Sequence, residues 1–261
     1  MPNISLDIQI TDDGLGIYLP KIETLVYADL HIGIEETIYN DGTYLPIDQF
    51  QIMIKYIKLM IEELKPKILL INGDFKHEFS QATRQEWCEL QELFKIIKKH
   101  NLTLEIIRGN HDNYLKTIIK RFGIHLREPY FQISKYLFIH GHELIPDDFL
   151  KTAENIEWII LAHEHPAIIL HDDTGGKHKF KCFLIGSWNK YNVLVLPALS
   201  PLATGAIMNF DDNKRILSPL LRIMDLPDFR PVVFDKGELL KFPCIKDMIN
   251  VSSWNDFDKF L

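Results

Sequence analysis

Apolar residues along this chain follow two rhythms. Short β-branched runs bounded by turn residues, at 24–28, 68–72, 104–107, 136–139 and 158–161, read as strands. They lack clean alternation, which is the pattern of strands buried on both faces. Later runs at 181–185, 193–196 and 206–210 read the same way. Between the early strands the period lengthens to that of a helix. Residues 48–64 set Phe50, Ile54, Ile57, Met60 and Ile61 on one face, and 83–99 do so with Trp87, Leu90, Leu93, Phe94 and Ile97. Strand and helix alternate through the first half, and strand dominates the second. The pattern predicts one α/β domain, with weaker periodicity after Asp211 that reads as a surface extension.

The stretch 191–210 carries no charged residue, which raises the question of a membrane span. Pro197 and Pro201 lie four residues apart within it and would break a spanning helix. It reads instead as buried strand around a loop. Residues 1–10 include Asp7 and lack a basic start followed by a long apolar run, so no export signal is expected. A soluble, cytoplasmic protein is the expectation.

Composition narrows the function classes. With 261 residues and 46% hydrophobic content, the chain can bury a sizeable core, which argues against disorder. Thirty-six acids against 29 bases give a net charge of −7, which excludes a wholly basic nucleic-acid wrapper but not a local basic strip. Cys88, Cys182 and Cys244 are dispersed and no CxxC occurs, so neither a disulfide scaffold nor a thiolate zinc site is indicated.

The chemistry collects where the strands end. The first strand runs into Asp29-Leu30-His31 and the second into Gly73-Asp74. Gly109-Asn110-His111-Asp112 follows the third, His140-Gly141-His142 the fourth, and His163-Glu164-His165 the fifth. In open α/β sheets ligands bind beyond the carboxyl ends of strands. One such residue would be a cap or a satisfied core group; five successive strand ends with the same chemistry are not. Imidazole and carboxylate donors without thiolate suit Mn, Fe, Zn and similar ions. They are too many for one closed tetrahedral site and about right for two ions with open positions.

The order DxH, GD, GNHD, HGH, HxH is similar to the pattern of calcineurin-like metallophosphoesterases, with Ala162 where that family usually has glycine. The words GDFKHEF and LPALSPLATG further resemble a subgroup of archaeal and bacterial phosphoesterases whose relatives are associated with DNA ligase and helicase operons. The resemblance implies a four-layer α/β/β/α sandwich of two mixed sheets flanked by helices. It implies Asp29, His31, Asp74 and His165 as ligands of one metal, with Asp74 bridging to a second held by Asn110, His140 and His163. His142 competes with His140 for the middle position, and similar HGH words favour His140. His111 becomes the general acid, and Asp112 orients it or caps the following helix. His77, His142 and Arg108 are candidate substrate contacts, with a ligand buttress for His77 and a surface ion pair for Arg108 as the other readings. The implied cofactor is a pair of divalent ions, Mn first, with Fe, Zn, Ni, Co or Mg as alternatives.

The implied activity is metal-dependent hydrolysis of phosphodiesters, with single-stranded or damaged DNA as the favoured substrate and a repair helicase or ligase as partner. A nucleotide or cyclic-nucleotide phosphodiesterase, or a phosphomonoesterase, is the second reading. A non-catalytic scaffold is the third, and it fits poorly because every ligand position and His111 are present. Elsewhere, Lys95, Lys98, Lys99 and His100 read as a basic helix C-terminus before a phosphate strip. His171 and His178 flank a Gly175-Gly176 hairpin tip.

Overall fold

Two seven-stranded sheets stack face to face. In the computed structural model, residues 1–44, 48–79, 83–146, 149, 153–172, 174–209 and 216–248 are described. The first sheet runs β1 (Asn3–Ser5), β2 (Ile8–Ile10), β3 (Ile17–Leu19), β4 (Thr24–Tyr27), β5 (Ile68–Asn72), β6 (Thr103–Ile107) and β7 (Leu126–Arg127) in that spatial order. Strands β4 to β7 are parallel, and β1 to β3 add an antiparallel meander. The second sheet contains β8 (Tyr130–Ile133), β9 (Tyr136–Ile139), β10 (Trp158–Leu161), β13 (Phe183–Trp188), β14 (Tyr191–Val195), β16 (Arg230–Asp235) and β17 (Glu238–Lys241). Its middle strands β9, β10 and β14 are parallel.

The absence of alternation in the sequence has a direct cause. In β10, Trp158 and Ile160 face the first sheet while Ile159 and Leu161 face the opposite side, and all four are buried. In β4, Val26 points between the sheets, as does Ala28 just beyond it, whereas Leu25 and Tyr27 meet the helices. Helices α2 (Gln49–Leu64) and α3 (Arg84–Lys99) cover that outer face with the apolar stripes read from the sequence. Asp48 caps α2, and Thr83 with Glu86 forms a capping box on α3, which fixes where each helix starts. The short helix α1 (Ile34–Asn40) follows the DLH turn and carries Glu35 and Glu36 in its first turn.

The outer face of the second sheet is covered in part by helical turns. The helical turns Pro219–Arg222 and Ile245–Met248 share it with a three-stranded sheet of β12 (Lys177–Lys181), β11 (Pro166–His171) and β15 (Ala206–Ile207). The strand expected at 181–185 is divided at Cys182, whose N–H donates to the Pro166 carbonyl as the chain passes from the small sheet to the large one. The strand expected at 206–210 is confined to Ala206–Ile207, and Phe210 lies outside the described residues. Residues 216–248 are not a surface extension. They supply β16 and β17 to the second sheet and place Leu220, Leu221, Phe229 and Ile245 in its core. Their weak periodicity reflects short elements that each bury at most three side chains.

If 216–248 is part of the core, Phe229→Ala should cost about 3–5 kcal/mol in urea denaturation, because that ring is 1% exposed. Ile223→Ser, at an exposed position, should cost less than about 0.5 kcal/mol. Equal, small losses would return the segment to the status of an extension.

Candidate metal centre

The ends of β4, β5 and β6 in one sheet meet those of β9 and β10 in the other, and the five polar junctions converge there. Asn72 at the end of β5 ties the sheets together, its amide donating to the carbonyls of Ile139 (3.3 Å) and Ile160 (3.1 Å). Beyond the strands the backbone turns sharply. Asp29, His31, Asp74, His163 and His165 all have left-handed φ, between 47° and 69°. Ordinary L-residues avoid that region at roughly 1–2 kcal/mol each. Here it aims successive side chains inward.

Backbone hydrogen bonds lock the turns against each other. Asp29 N–H donates to Gly73 O, His31 N–H to Asp74 O, and Ser200 N–H to Asp29 O. The Gln49 amide donates to His31 O at 2.9 Å, and the Ser200 hydroxyl donates to Gln49 Oε1 at 2.6 Å. Two glycines are required by close approach. A Cβ at Gly73 would run into the His140 ring, and one at Gly109 would run into the Asp74 carboxylate and amide.

Besides an all-imidazole group of His31, His77 and His111, two donor clusters that include carboxylates result: Asp29, His31, Asp74 and His165, and then Asp74, His140 and His163. Asp74 belongs to both. Asn110 Oδ1 lies 3.4 Å from His140 Nε2, so it borders the second cluster. His140 Nδ1–H donates to the Asn72 carbonyl at 3.0 Å, which fixes its tautomer and turns Nε2 inward. His142 stands outside both clusters beside Glu143, its Nε2 3.4 Å from that carboxylate.

The donors fit a divalent cation. Asp29 Oδ1 is buried with no hydrogen-bond partner among the described residues, facing His165 Nε2 at 3.2 Å and His140 Nδ1 at 3.7 Å. His31 Nε2 and His165 Nε2 point at each other 3.5 Å apart. Ring nitrogens and carboxylate oxygens thus converge on common points, as ligands of an ion do. Burial pushes His31 down to about 3, and burial next to His140 pushes His163 down to about 4, so both offer free lone pairs at neutral pH. Burial opposes charge on His140 too, but the Asp74 and Asp29 carboxylates outweigh it and hold the group at about 9. Asp74 falls well below the usual carboxylate range, since the surrounding imidazoles outweigh its own desolvation.

The other candidates sort by what they touch. His111 Nδ1–H donates to the His77 carbonyl at 2.5 Å, leaving Nε2 turned toward Asp74, 3.9 Å from Oδ2. Asp112 neither orients that ring nor caps helix α4 (Leu115–Ile119), whose start has no side-chain cap. Its buried carboxylate accepts backbone N–H groups of Gly109 (2.8 Å), Phe75 (3.0 Å) and Lys76 (3.2 Å) and so staples the GD and GNHD turns together. Burial beside Asp74 raises it to about 6. His77 Nδ1 lies 3.3 Å from His31 Nδ1, so it braces the His31 ring. Arg108 is drawn aside to Asn113 (2.7 Å) and Glu128 (3.7 Å). Lys76 is fully buried, with Glu86 and Asp112 acting on its charge.

Pattern reading overlooked Phe79. This half-exposed ring lies over His111 with centroids 3.9 Å apart. An aromatic five residues beyond Asp74, past the end of any strand, was the one available signal.

No curated protein matches the chain. The structure of the Pseudomonas putida nuclease MPE is similar over 90% of this chain and 94% of its own, with a TM-score of 0.62 at 20% identity. That likeness concerns the fold. Yfce, a phosphoesterase from E. coli, aligns over 68% of this chain and 80% of its own at 13% identity, with a TM-score of 0.39. The calcineurin-like phosphoesterase family matches residues 22–196, a span that holds all five strand-end motifs. The chain belongs to the calcineurin-like phosphoesterase family.

Proposed function

We propose that this protein is a two-metal phosphoesterase that hydrolyses phosphodiester bonds, with single-stranded or damaged DNA as its substrate class. The observation that carries the reading is the place of Asp74 in both donor clusters, which lets one carboxylate bridge two cations. Asp29, His31, Asp74 and His165 would hold the first, and Asp74, Asn110, His140 and His163 the second. Mn is the first choice of metal, and Fe, Zn, Ni, Co and Mg are alternatives for such a donor set. A divalent pair supplies Lewis acidity toward phosphoryl oxygens and lowers the pKa of water.

The chain's own residues do the rest. The His77 carbonyl fixes the His111 ring, so Nε2 is the atom that hands a proton to the leaving oxygen. Phe79 shields one side of that imidazole from water. Asp112 and Gly109 keep the backbone of His111 against Asp74, whose Oδ1 accepts the His111 N–H at 3.0 Å. The DNA reading, and the helicase or ligase partner that goes with it, rest on the words GDFKHEF and LPALSPLATG.

Purified chain loaded with Mn²⁺ should carry about two equivalents by elemental analysis. His165→Ala and His163→Ala should each retain one, and Asp74→Ala should lose both metal and hydrolysis of bis-p-nitrophenyl phosphate. A single equivalent in the parent contradicts the reading.

His111→Ala should slow cleavage by ~10²–10⁴-fold where the leaving group is a nucleoside alkoxide, as in labelled single-stranded DNA. The loss should be much smaller with p-nitrophenolate, which departs without a proton. Equal losses would reassign His111 to stabilising phosphoryl charge. Diester hydrolysis with no DNA cleavage would move the substrate to small nucleotides.

A further inference from the structure

Strand β12 carries lysine at every second position: Lys177, Lys179 and Lys181. Pairing with β11 sets Lys181 opposite Ala167, Lys179 opposite Ile169 and Lys177 opposite His171. Strand β11 begins at Pro166, directly after His165 of the metal centre. The lysines therefore step outward from that centre toward the hairpin tip, on one face, about every 6.8 Å. Phe180 takes the other face and packs on the core of the second sheet. Among the described residues, β12 is an edge strand of the three-stranded sheet.

The inner end of the row is tied to the site. Lys181 Nζ donates to the carbonyls of Ala198 (2.8 Å) and Ser200 (2.6 Å), and Ser200 in turn donates its N–H to Asp29 O. Lys179 Nζ donates to Gly205 O (2.5 Å) and the Thr204 hydroxyl (3.4 Å), and Gly205 packs against the His165 carbonyl. These hydrogen-bond partners are neutral oxygens, and the carboxylate acting on Lys181 is Asp29 of the donor cluster, at the inner end of the row. Lys177 is exposed. The register of β15 also puts Ile207, 39% exposed, opposite Ala167 on the same face. An apolar residue beside a line of ammonium groups suits a sugar or base next to phosphates. In a chain of net charge −7 such a row is a local exception.

We infer that β12 is the track for a single-stranded polynucleotide, with successive phosphates on Lys177 and Lys179 and the scissile diester in the metal centre. Lys181 holds the 196–205 loop at the inner end of the track. The inference rests on the phosphoesterase reading above and adds how a polymer, as opposed to a small diester, reaches the site.

Binding of a labelled phosphorothioate oligothymidylate to the Mn-loaded full chain, followed by anisotropy over a series of salt concentrations, tests it. Lys177→Gln/Lys179→Gln should bind about tenfold more weakly at low salt, with a salt slope shallower by about 0.7 for each lost phosphate contact. Lys177→Gln alone should give part of the effect, and Lys179→Arg should keep the parental slope. Lys98→Gln/Lys99→Gln, at the far end of α3, should match the parent. A double variant that binds as the parent does, in a chain that hydrolyses bis-p-nitrophenyl phosphate, overturns the track alone. Poly-glutamate bound as tightly at matched charge overturns it in favour of an acidic protein partner. A parent without metal-dependent diester hydrolysis contradicts the phosphoesterase reading and removes the inference with it.

Discussion

The left-handed turns at the ends of β4, β5 and β10 are the constraint on which the site depends. Five donors occupy a backbone region that L-residues avoid, at Asp29, His31, Asp74, His163 and His165. No local preference would keep them there; the surroundings must over-determine the conformation. The two-faced burial of β4, β5 and β10 fixes the strands, and the interlocked bonds Asp29 to Gly73, His31 to Asp74 and Ser200 to Asp29 fix the turns. A rigid sheet-on-sheet core therefore holds a crowded set of carboxylates and imidazoles that would otherwise spread apart.

That constraint explains why Asp112 matters without belonging to a donor cluster. Its carboxylate accepts three backbone N–H groups from two loops, at Gly109, Phe75 and Lys76. Neutralising or removing it would leave buried donors unpaired exactly where Asp74 and His111 must stay in register, a cost of about 1–3 kcal/mol for each group. The loop at 196–205 plays the same part from the second half of the chain. Lys181 holds Ser200, Ser200 holds Gln49 and Asp29, and Gln49 holds the His31 carbonyl.

Much of this was legible in the sequence, for identifiable reasons. Strands β5, β9 and β10 were readable end to end because continuous apolar runs mark strands buried on both sides. The donor set was readable because each motif sits directly at a strand end, so order along the chain maps onto position in space. The meander β1 to β3 was not, since three-residue strands offer too few positions for a period. The roles of Asp112 and Lys76 were hidden for another reason: their partners lie on other loops, and spacing within one motif carries no information about them. Sequence order likewise concealed the lysine row, whose relation to His165 appears only through the β11–β12 register.

Anomalous diffraction at the manganese edge from crystals soaked in Mn²⁺ tests the central claim most directly. Two peaks about 3.5–4 Å apart, on either side of the Asp74 carboxylate, are the expected result. A single peak, or a peak among His31, His77 and His111 in place of the Asp74 pair, would contradict the account.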